Sequence, residues 1–298
     1  MPARESAPGA APPAAIGGPR RRIRLARGPL TIGEPAPDIE PRLAVGEPYR
    51  PDTIADGGSA FGLTVRAASV RGLQKRFAGG PRQDDLCLGM HAATGTLIAA
   101  VADGVSAAPR SDLGAALAVR YAVAAVARQL DDGEIDWPNV FEQAAWALVS
   151  EERRLGEDAG SLATTLLVAA VSVRDSEEVA VQVAAVGDSP ALILRARTYD
   201  LLVGEHAQNG ELIGGGVAAL PRDAREVRVG SCALGSGEAL LLCTDGVALP
   251  LGGGEGELGS TLARELAKPP DVVDFARLLD FSRSTYDDDR TLVAVWAP

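Results

Sequence analysis

The chain has 298 residues, of which 46% are hydrophobic and only 4% aromatic, and its formal net charge is −11. This length and composition allow a sizeable core of small and branched aliphatic side chains. The acidic balance argues against a nucleic-acid-binding protein, which usually presents a basic face. It is compatible with a site for hard divalent cations, because such ions take carboxylates as ligands.

The three cysteines, Cys87, Cys232 and Cys243, lack CxxC spacing and lie in apolar runs that are typical of strands. We interpret them as reduced core residues, which favours a reducing compartment. No run of about 20 apolar residues predicts a transmembrane helix. The arginines at 20–22 are not followed by the apolar segment of a signal peptide. We therefore expect a cytoplasmic protein that makes no membrane contact.

Residues 1–60 differ in composition from the rest of the chain. They hold 11 of the 20 prolines and show no sustained apolar periodicity. Such sequence cannot bury enough apolar surface to offset the entropy cost of ordering. We predict a disordered Pro/Ala/Arg-rich tail over residues 1–60 and one folded domain over residues 61–298. The first 30 residues carry six arginines and one glutamate, so this basic arm is either simply solvated or contacts an acidic partner.

The folded part begins with two predicted strands, at 86–90 and 96–102, joined by a turn. Apolar residues at helical spacing then predict a helix over about 112–130, with Ser111 as its N-cap, and a second over about 138–155 that opens with Pro138. Further strands are expected at 163–173, 179–186, 191–197, 225–233, 239–243 and 291–296, with one helix at 272–284. Successive hairpins interrupted by helices predict an α+β fold, in which two packed antiparallel sheets are flanked by helix pairs.

Five aspartate-containing segments share one local pattern, because each lies where an apolar strand ends and the chain must turn. They hold Asp84-Asp85, Asp103-Gly104, Asp188, Asp245-Gly246 and Asp287-Asp288-Asp289. A single aspartate in such a place is usually only a turn former. Several carboxylates brought together from strand ends repel one another unless a cation neutralises them. Oxygen ligands without histidine or cysteine favour Mg²⁺ or Mn²⁺ over zinc.

Six short motifs occur in a fixed order along the chain. They are Arg82-Gln83-Asp84-Asp85, Val101-Ala102-Asp103-Gly104-Val105, Ala163-Thr164-Thr165-Leu166, Val186-Gly187-Asp188-Ser189, Cys243-Thr244-Asp245-Gly246 and Asp288-Asp289-Arg290-Thr291. In this order and spacing they resemble the successive motifs of the metal-dependent protein phosphatases of the 2C type, in a bacterial form. The resemblance covers roughly residues 62–297. It implies the sandwich fold that the strand and helix pattern also predicts.

The resemblance also implies an activity and a set of site residues. The activity is that of a serine/threonine phosphoprotein phosphatase, in which a hydroxide held between two Mn²⁺ or Mg²⁺ ions attacks phosphorus. The catalytic and metal-binding residues that it implies are Asp84, Asp103, Asp245 and Asp288, with the backbone carbonyl of Gly104. Bacterial members often hold a third ion, for which Asp158 and Asp188 are the candidates. The implied partner is a phosphoserine or phosphothreonine protein.

The sequence departs from the family pattern around the first acidic motif. Gln83 stands where many members have glutamate. Gly79 stands where an arginine usually grips the substrate phosphate, so Arg76 or Arg82 would have to take over this contact. Val105 replaces the histidine of eukaryotic members, as in many bacterial forms. These departures keep open a catalytically weak or inactive binding or regulatory module. A further alternative keeps the chemistry but restricts the substrate to one phosphoprotein or a small phosphate ester.

Overall fold

The structure is a computed structural model that describes residues 30–37, 39, 41–43, 50–173, 178–204 and 217–298. The strands in this part of the chain are β1 (Leu30–Thr31), β2 (Thr53–Ala60), β3 (Leu63–Val70), β4 (Asp85–His91), β5 (Thr96–Ala102), β6 (Leu166–Val173), β7 (Val179–Val186), β8 (Ala191–Arg195), β9 (Thr198–Val203), β10 (Arg228–Leu234), β11 (Ala239–Cys243), β12 (Phe281–Ser282) and β13 (Arg290–Trp296). The helices are α1 (Leu73–Ala78), α2 (Ser111–Asp132), α3 (Trp137–Leu155), α4 (Asp245–Leu251), α5 (Glu257–Glu265) and α6 (Val272–Leu279).

Two antiparallel sheets form the centre of the fold. One has five strands in the order β10-β7-β6-β5-β4, and the other has six in the order β2-β3-β13-β11-β8-β9. Aliphatic side chains from both sheets, such as Leu167, Val183, Leu242 and Val293, form a fully buried layer between them. Because the strands are short and both faces are covered, they read as apolar runs with little alternation. The predicted α+β class with two antiparallel sheets is confirmed.

Helices cover the outer face of each sheet. On the five-stranded sheet, α2 and α3 bury residues such as Val119 and Phe141 against Ile98 and Val168. On the six-stranded sheet, α4, α5 and α6 enclose a second apolar layer. By length and composition alone α2 could cross a membrane, but half of its apolar window is buried inside this fold. A buried core helix can be as long and as apolar as a membrane-spanning one, and the packing of α2 on the sheet accounts for its composition.

Local signals fix the helix ends. The side chain of Asp136 accepts a hydrogen bond from the Asn139 amide at 3.1 Å and so caps α3 in front of Pro138. Gly133 and Gly156, with φ of 100° and 72°, end α2 and α3 in the left-handed conformation that glycine adopts readily. Ser111, predicted as an N-cap, is instead the first residue of α2.

The N-terminal boundary of the folded part differs from the prediction. Strand β2, over Thr53–Ala60, pairs with β3 along its whole length, and β1 pairs in parallel with β12. Ile32 is only 2% exposed and belongs to the core of the six-stranded sheet. The sequence does not predict β2, because β2 is an edge strand whose mostly exposed side chains form no apolar pattern. Residues 1–29 of the predicted tail lie outside the described residues.

Candidate active site

The predicted acidic residues come together at one end of the sandwich. In the five-stranded sheet β4 begins directly after Asp84, and β5 ends directly before Asp103. In the six-stranded sheet β11 ends just before Asp245, and β13 begins after Asp288. Asp85 is paired with Ala102 and Cys243 with Leu292, so each pair of strand ends is adjacent. We call Asp84, Asp103, Asp245 and Asp288 the acidic site.

Asp84 ties the two sheets together. Its side chain is buried, and its Oδ2 atom accepts hydrogen bonds from the hydroxyls of Thr244 at 2.8 Å and Thr291 at 2.7 Å. Both threonines belong to the opposite sheet or its connections. Burial and then the charge of Asp289 raise the pKa of Asp84 to about 8, against the lowering effect of Lys75. The hydroxyls therefore fix the direction of a carboxyl group that costs free energy when it ionises.

Asp103 and Asp245 contact each other directly. Their carboxyl groups lie within hydrogen-bonding reach of each other. Burial and the charges of Asp84 and Asp245 raise the pKa of Asp103 well above its ordinary value. Burial also raises the pKa of Asp245 to about 6, with Asp288 and Asp188 acting in the same direction and the hydrogen bond from Asp103 opposing them. The two carboxyl groups thus lie where two negative charges would repel each other.

Close backbone approach explains the glycines beside two of these aspartates. A Cβ atom on Gly246 would collide with the backbone of Asp289. A Cβ atom on Gly104 would lie 2.8 Å from the carbonyl oxygen of Gln83 and 2.8 Å from the Cβ of Ser111. The Asp-Gly pairs at these strand ends therefore serve the packing of three loops around the site, beyond their role as turn formers.

Lys75 lies in the site, and the sequence analysis missed it. Its Nζ atom is 2.6 Å from Asp288 Oδ1 and 2.9 Å from Asp289 Oδ2. Burial alone would lower the pKa of this amine, but Asp289, Asp288 and Asp84 raise it above its ordinary value. The one sequence signal that sets Lys75 apart is its rarity, since Lys75 and Lys268 are the only lysines among 29 basic residues.

Asp289 is the fixed end of this contact. Its side chain has no exposed surface and accepts hydrogen bonds from the amides of Gly72 at 2.7 Å and Gln83 at 2.5 Å. It therefore joins the loop after β3, the loop before β4 and the start of β13. The sequence analysis assigned no function to Asp289, which acts here as the anchor of the loops around the site.

The structure places Arg76 and Arg82, the two arginines predicted to grip the substrate phosphate, against partners within the protein. Arg76 forms ion pairs with Asp52 at 2.7 Å and with Asp280 at 2.8 Å. Arg82 is 1% exposed and donates to the Ser69 hydroxyl at 2.7 Å and to the backbone carbonyl of Asp84. Both arginines hold loops in place through these contacts.

The two candidates for a third metal ion differ in position. Asp188 is partly buried, and its charge contributes to the raised pKa of Asp245, so it faces the acidic site. Asp158 is exposed in the turn after α3, where its carbonyl accepts a hydrogen bond from the Ser161 amide at 3.1 Å. The neighbouring Glu157 is 3.4 Å from Arg110. The structure therefore brings Asp188, but not Asp158, towards the other carboxylates.

A groove of about 670 Å³ lies at the end of α3. Its lining residues come from the end of α3, the following loop and the segment around the Leu220–Pro221 bond; they are Val149, Glu152, Arg153, Glu157, Ala159, Gly160, Ala163, Ala219, Leu220, Pro221 and Arg222. Thr164, next to this lining, is paired with Gly104 on one side and with Leu220 on the other. The backbone pairing of Thr164 therefore links the groove lining to the segment that carries Asp103.

The donor set of the acidic site suits a hard divalent cation, because it consists of carboxylates. These carboxylates are crowded, since the charges of Asp84 and Asp245 raise the pKa of Asp103. As the side chains stand, however, no three acidic, histidine or cysteine residues in the described ranges are arranged to hold an ion. Among these carboxylates, Asp288 has Lys75 as a cationic partner. The residues thus fit Mg²⁺ or Mn²⁺ in kind, in an arrangement that has to adjust on binding.

Comparisons with known proteins agree with this architecture. The family model described as protein phosphatase 2C matches residues 71–291, whereas no curated protein matches the chain by sequence. A serine/threonine phosphatase from S. agalactiae has 18% identity and a TM-score of 0.55, with 79% of this chain and 100% of that chain covered.

Two further solved structures are similar and contain metal ions. The catalytic domain of the serine/threonine protein phosphatase PstP, in complex with two manganese ions, has 19% identity and a TM-score of 0.51, covering 78% of this chain and 97% of that chain. RsbX in complex with magnesium has 12% identity and a TM-score of 0.51, covering 82% and 100%. At these identities the similarity establishes the fold. The family model spans most of the chain, including every motif of the acidic site, and the chain belongs to the protein phosphatase 2C family.

Proposed function

We propose that the protein is a metal-dependent serine/threonine phosphoprotein phosphatase. The observation that carries the proposal is the crowding of Asp103 against Asp84, Asp245 and Asp288 at one end of the sandwich. Such a cluster is costly to keep without a cation. Family membership and the similar fold of known bacterial phosphatases support the same activity.

The acidic site would hold two Mn²⁺ or Mg²⁺ ions through Asp84, Asp103, Asp245, Asp288 and the carbonyl of Gly104. Asp188 would serve a third ion. When bound, two such ions supply a nucleophile from water at neutral pH and neutralise the phosphoryl oxygens. The protein contributes the orientation of the ligands, since Thr244 and Thr291 direct Asp84 through their hydroxyls.

Lys75 is the cation that we assign to the substrate phosphate, in place of Arg76 and Arg82. Its side chain is 13% exposed and already directed at the acidic site. An ammonium group in this position stabilises the phosphoryl oxygens as negative charge develops on them. We place the residues that flank the phosphorylated side chain in the groove at the end of α3, because Thr164 links the lining of this groove to Gly104 beside Asp103.

The experiment that tests the function is phosphate release from a phosphothreonine peptide with Mn²⁺ and then with chelator. Asp245→Asn should abolish the release. The matched control is Asp200→Asn, since Asp200 is an exposed strand residue paired with Arg195, and it should retain the wild-type rate. A parallel panel of phosphopeptides and small phosphate esters separates a general protein phosphatase from an enzyme with a narrow substrate. No release from metal-loaded protein with either class of substrate would refute the proposal.

One observation favours the alternative of a binding or regulatory module with weak or no catalysis. Lys75 gives Asp288 and Asp289 a cationic partner that belongs to the chain itself. If the folded protein binds a phosphopeptide in chelator but releases no phosphate in Mn²⁺, this alternative replaces the enzyme.

A further inference from the structure

We propose that Lys75 is an internal competitor of the metal ions for Asp288, so that this lysine sets the metal affinity of the acidic site. The inference rests on the proposed function to the extent that Asp288 is taken as a metal ligand. The inference goes beyond the proposed function because it assigns the control of metal loading to one side chain.

The contact itself is direct. The Nζ atom of Lys75 is 2.6 Å from Asp288 Oδ1, a distance typical of a strong charge-assisted hydrogen bond. The same oxygen also accepts the Asp289 amide at 2.7 Å. Asp288 therefore directs one oxygen towards α1 and the β13 loop, and a metal ion that needs this carboxylate meets an ammonium group already bound to it.

The two carboxylates hold Lys75 unequally. Asp289 has no exposed surface and keeps its amide partners whether or not Lys75 moves. The Asp288 side chain is 41% exposed, so it can rotate towards an incoming ion. Lys75 can thus release Asp288 while it remains on Asp289, and the change needed for metal loading is a local one.

Like charges make the two occupants of Asp288 exclude each other. A divalent ion and an ammonium group on one carboxylate repel strongly, and partial burial weakens the screening by solvent. The neighbouring Arg76 cannot replace Lys75, because its guanidinium is engaged by Asp52 and Asp280. Lysine suits the task better than arginine, since a compact ammonium can contact two carboxylates through one atom.

Mn²⁺ titration calorimetry of the full chain tests the inference without measuring activity. In Lys75→Met the dissociation constant should fall by about tenfold or more, which corresponds to about 1.4 kcal/mol. Lys268→Met is the matched control, because Lys268 is the other lysine of the chain and is exposed. It should bind Mn²⁺ as the wild type does. An unchanged or weaker affinity in folded Lys75→Met overturns the inference.

The Asp288→Asn background separates competition from a general loss of positive charge. If Lys75 acts by occupying Asp288, then adding Lys75→Met to Asp288→Asn should change the affinity for Mn²⁺ by less than about twofold. An equal tenfold tightening in both backgrounds would show that Lys75 acts only through long-range electrostatics, and this result also overturns the inference.

A second measurement uses the unaltered protein, in case Lys75→Met does not fold. Amine acylation followed by peptide mass spectrometry reports Lys75 and Lys268 separately, because the chain has no other lysine. Addition of Mn²⁺ should increase the labelling of Lys75 relative to Lys268 by several-fold, since the amine loses one of its two ion-pair partners. A constant ratio at saturating Mn²⁺ contradicts displacement from Asp288.

The outcomes separate this inference from the proposed function. Tighter Mn²⁺ binding in Lys75→Met without phosphate release by any variant supports the inference and refutes the enzyme. Phosphate release by the wild type with an unchanged Mn²⁺ affinity in Lys75→Met supports the enzyme and refutes the inference. If neither the wild type nor Lys75→Met binds Mn²⁺, both are refuted.

Discussion

Asp84 is buried between two sheets, yet the groups that contact its Oδ2 atom are neutral hydroxyls, on Thr244 and Thr291. Burial and the charges of Asp84 and Asp245 raise the pKa of Asp103, and Asp288 is paired with Lys75. Each carboxylate of the acidic site thus has a different way of limiting its charge. This variety arises because burial penalises an ionised carboxylate more than one hydrogen bond can offset.

The raised pKa values predict the pH dependence of stability in chelator. The pKa of Asp245 is raised to about 6 and that of Asp84 to about 8, whereas the unfolded values are about 3.9. Between about pH 4 and pH 8 the folded protein therefore keeps protons that the unfolded chain has lost, and its free energy of unfolding falls as the pH rises. The contribution of Asp245 is on the order of 3 kcal/mol.

Thermal unfolding in EDTA at pH 5 and pH 8 measures this effect. The wild type should have a lower Tm at pH 8, and Asp245→Asn, which cannot ionise, should show a smaller decrease. Saturating Mn²⁺ should remove most of the decrease in the wild type, since the ion binds the ionised carboxylates of the folded state only. A Tm that rises from pH 5 to pH 8 in chelator would contradict the assigned shifts.

At the scale of elements, ion pairs between side chains hold the connections around the acidic site in place. Asp52, in front of β2, binds Arg71 at 3.0 Å and Arg76 at 2.7 Å. Arg50 binds Asp85 at 3.1 Å, next to Arg82. These contacts join the entry to β2, helix α1 and the start of β4. They lie outside the hydrogen-bonded pairing of the sheets, and they determine where Asp84 lies.

Arg82 is the element-scale test of this arrangement. Replacing it with methionine should lower the free energy of unfolding by about 3–5 kcal/mol, because a buried charged network loses one partner. The KM for a phosphopeptide should remain close to that of the wild type in the folded fraction. The control is Arg264→Met, since Arg264 is exposed and pairs only with its neighbour Glu265 in the described contacts. A raised KM with an unchanged Tm would restore Arg82 as a phosphate contact.

The elements differ in how well the sequence predicted them. Strands β4, β5, β6 and β7 were predicted to within a few residues, because continuous apolar runs mark buried strands. Helices α4 and α5 were missed, since sequences of seven and nine residues show too few turns for a helical period. The predicted helix 272–284 ends at Leu279, because β12 begins at Phe281 and pairs with β1.

At the scale of the whole molecule, the segment before β2 is part of the fold. Ile32 is buried in the core of the six-stranded sheet, and the amide of Ala36 donates to the Ser282 hydroxyl at 2.9 Å. Deleting residues 1–49 should therefore reduce the free energy of unfolding by at least about 2 kcal/mol relative to deleting residues 1–29, the cost of removing one buried isoleucine. Urea unfolding of the two truncated proteins decides this. Equal midpoints and slopes would mean that the segment adds no stability.

The net charge of −11 predicts how salt affects catalysis. A negative molecule does not steer an anionic phosphopeptide over a long range, so kcat/KM should change by less than about threefold as the ionic strength rises to ~0.3 M. The measurement requires a fixed free Mn²⁺ concentration. A steep decrease with salt would instead indicate a basic approach surface. The cytoplasmic location and an acidic partner for the basic arm stay predictions.

The sequence by itself determined the fold class and the carboxylates of the acidic site. Both depend on local signals, because strand periodicity and turn residues place each aspartate at a strand end, and the order of the motifs relates them to one family. Only the tertiary structure decided which cation belongs to the site. Arg76, Arg82 and Lys75 lie within eight residues of one another, and nothing in their spacing distinguishes them. The choice follows from packing, which commits both arginines to buried loop contacts and leaves Lys75 between Asp288 and Asp289.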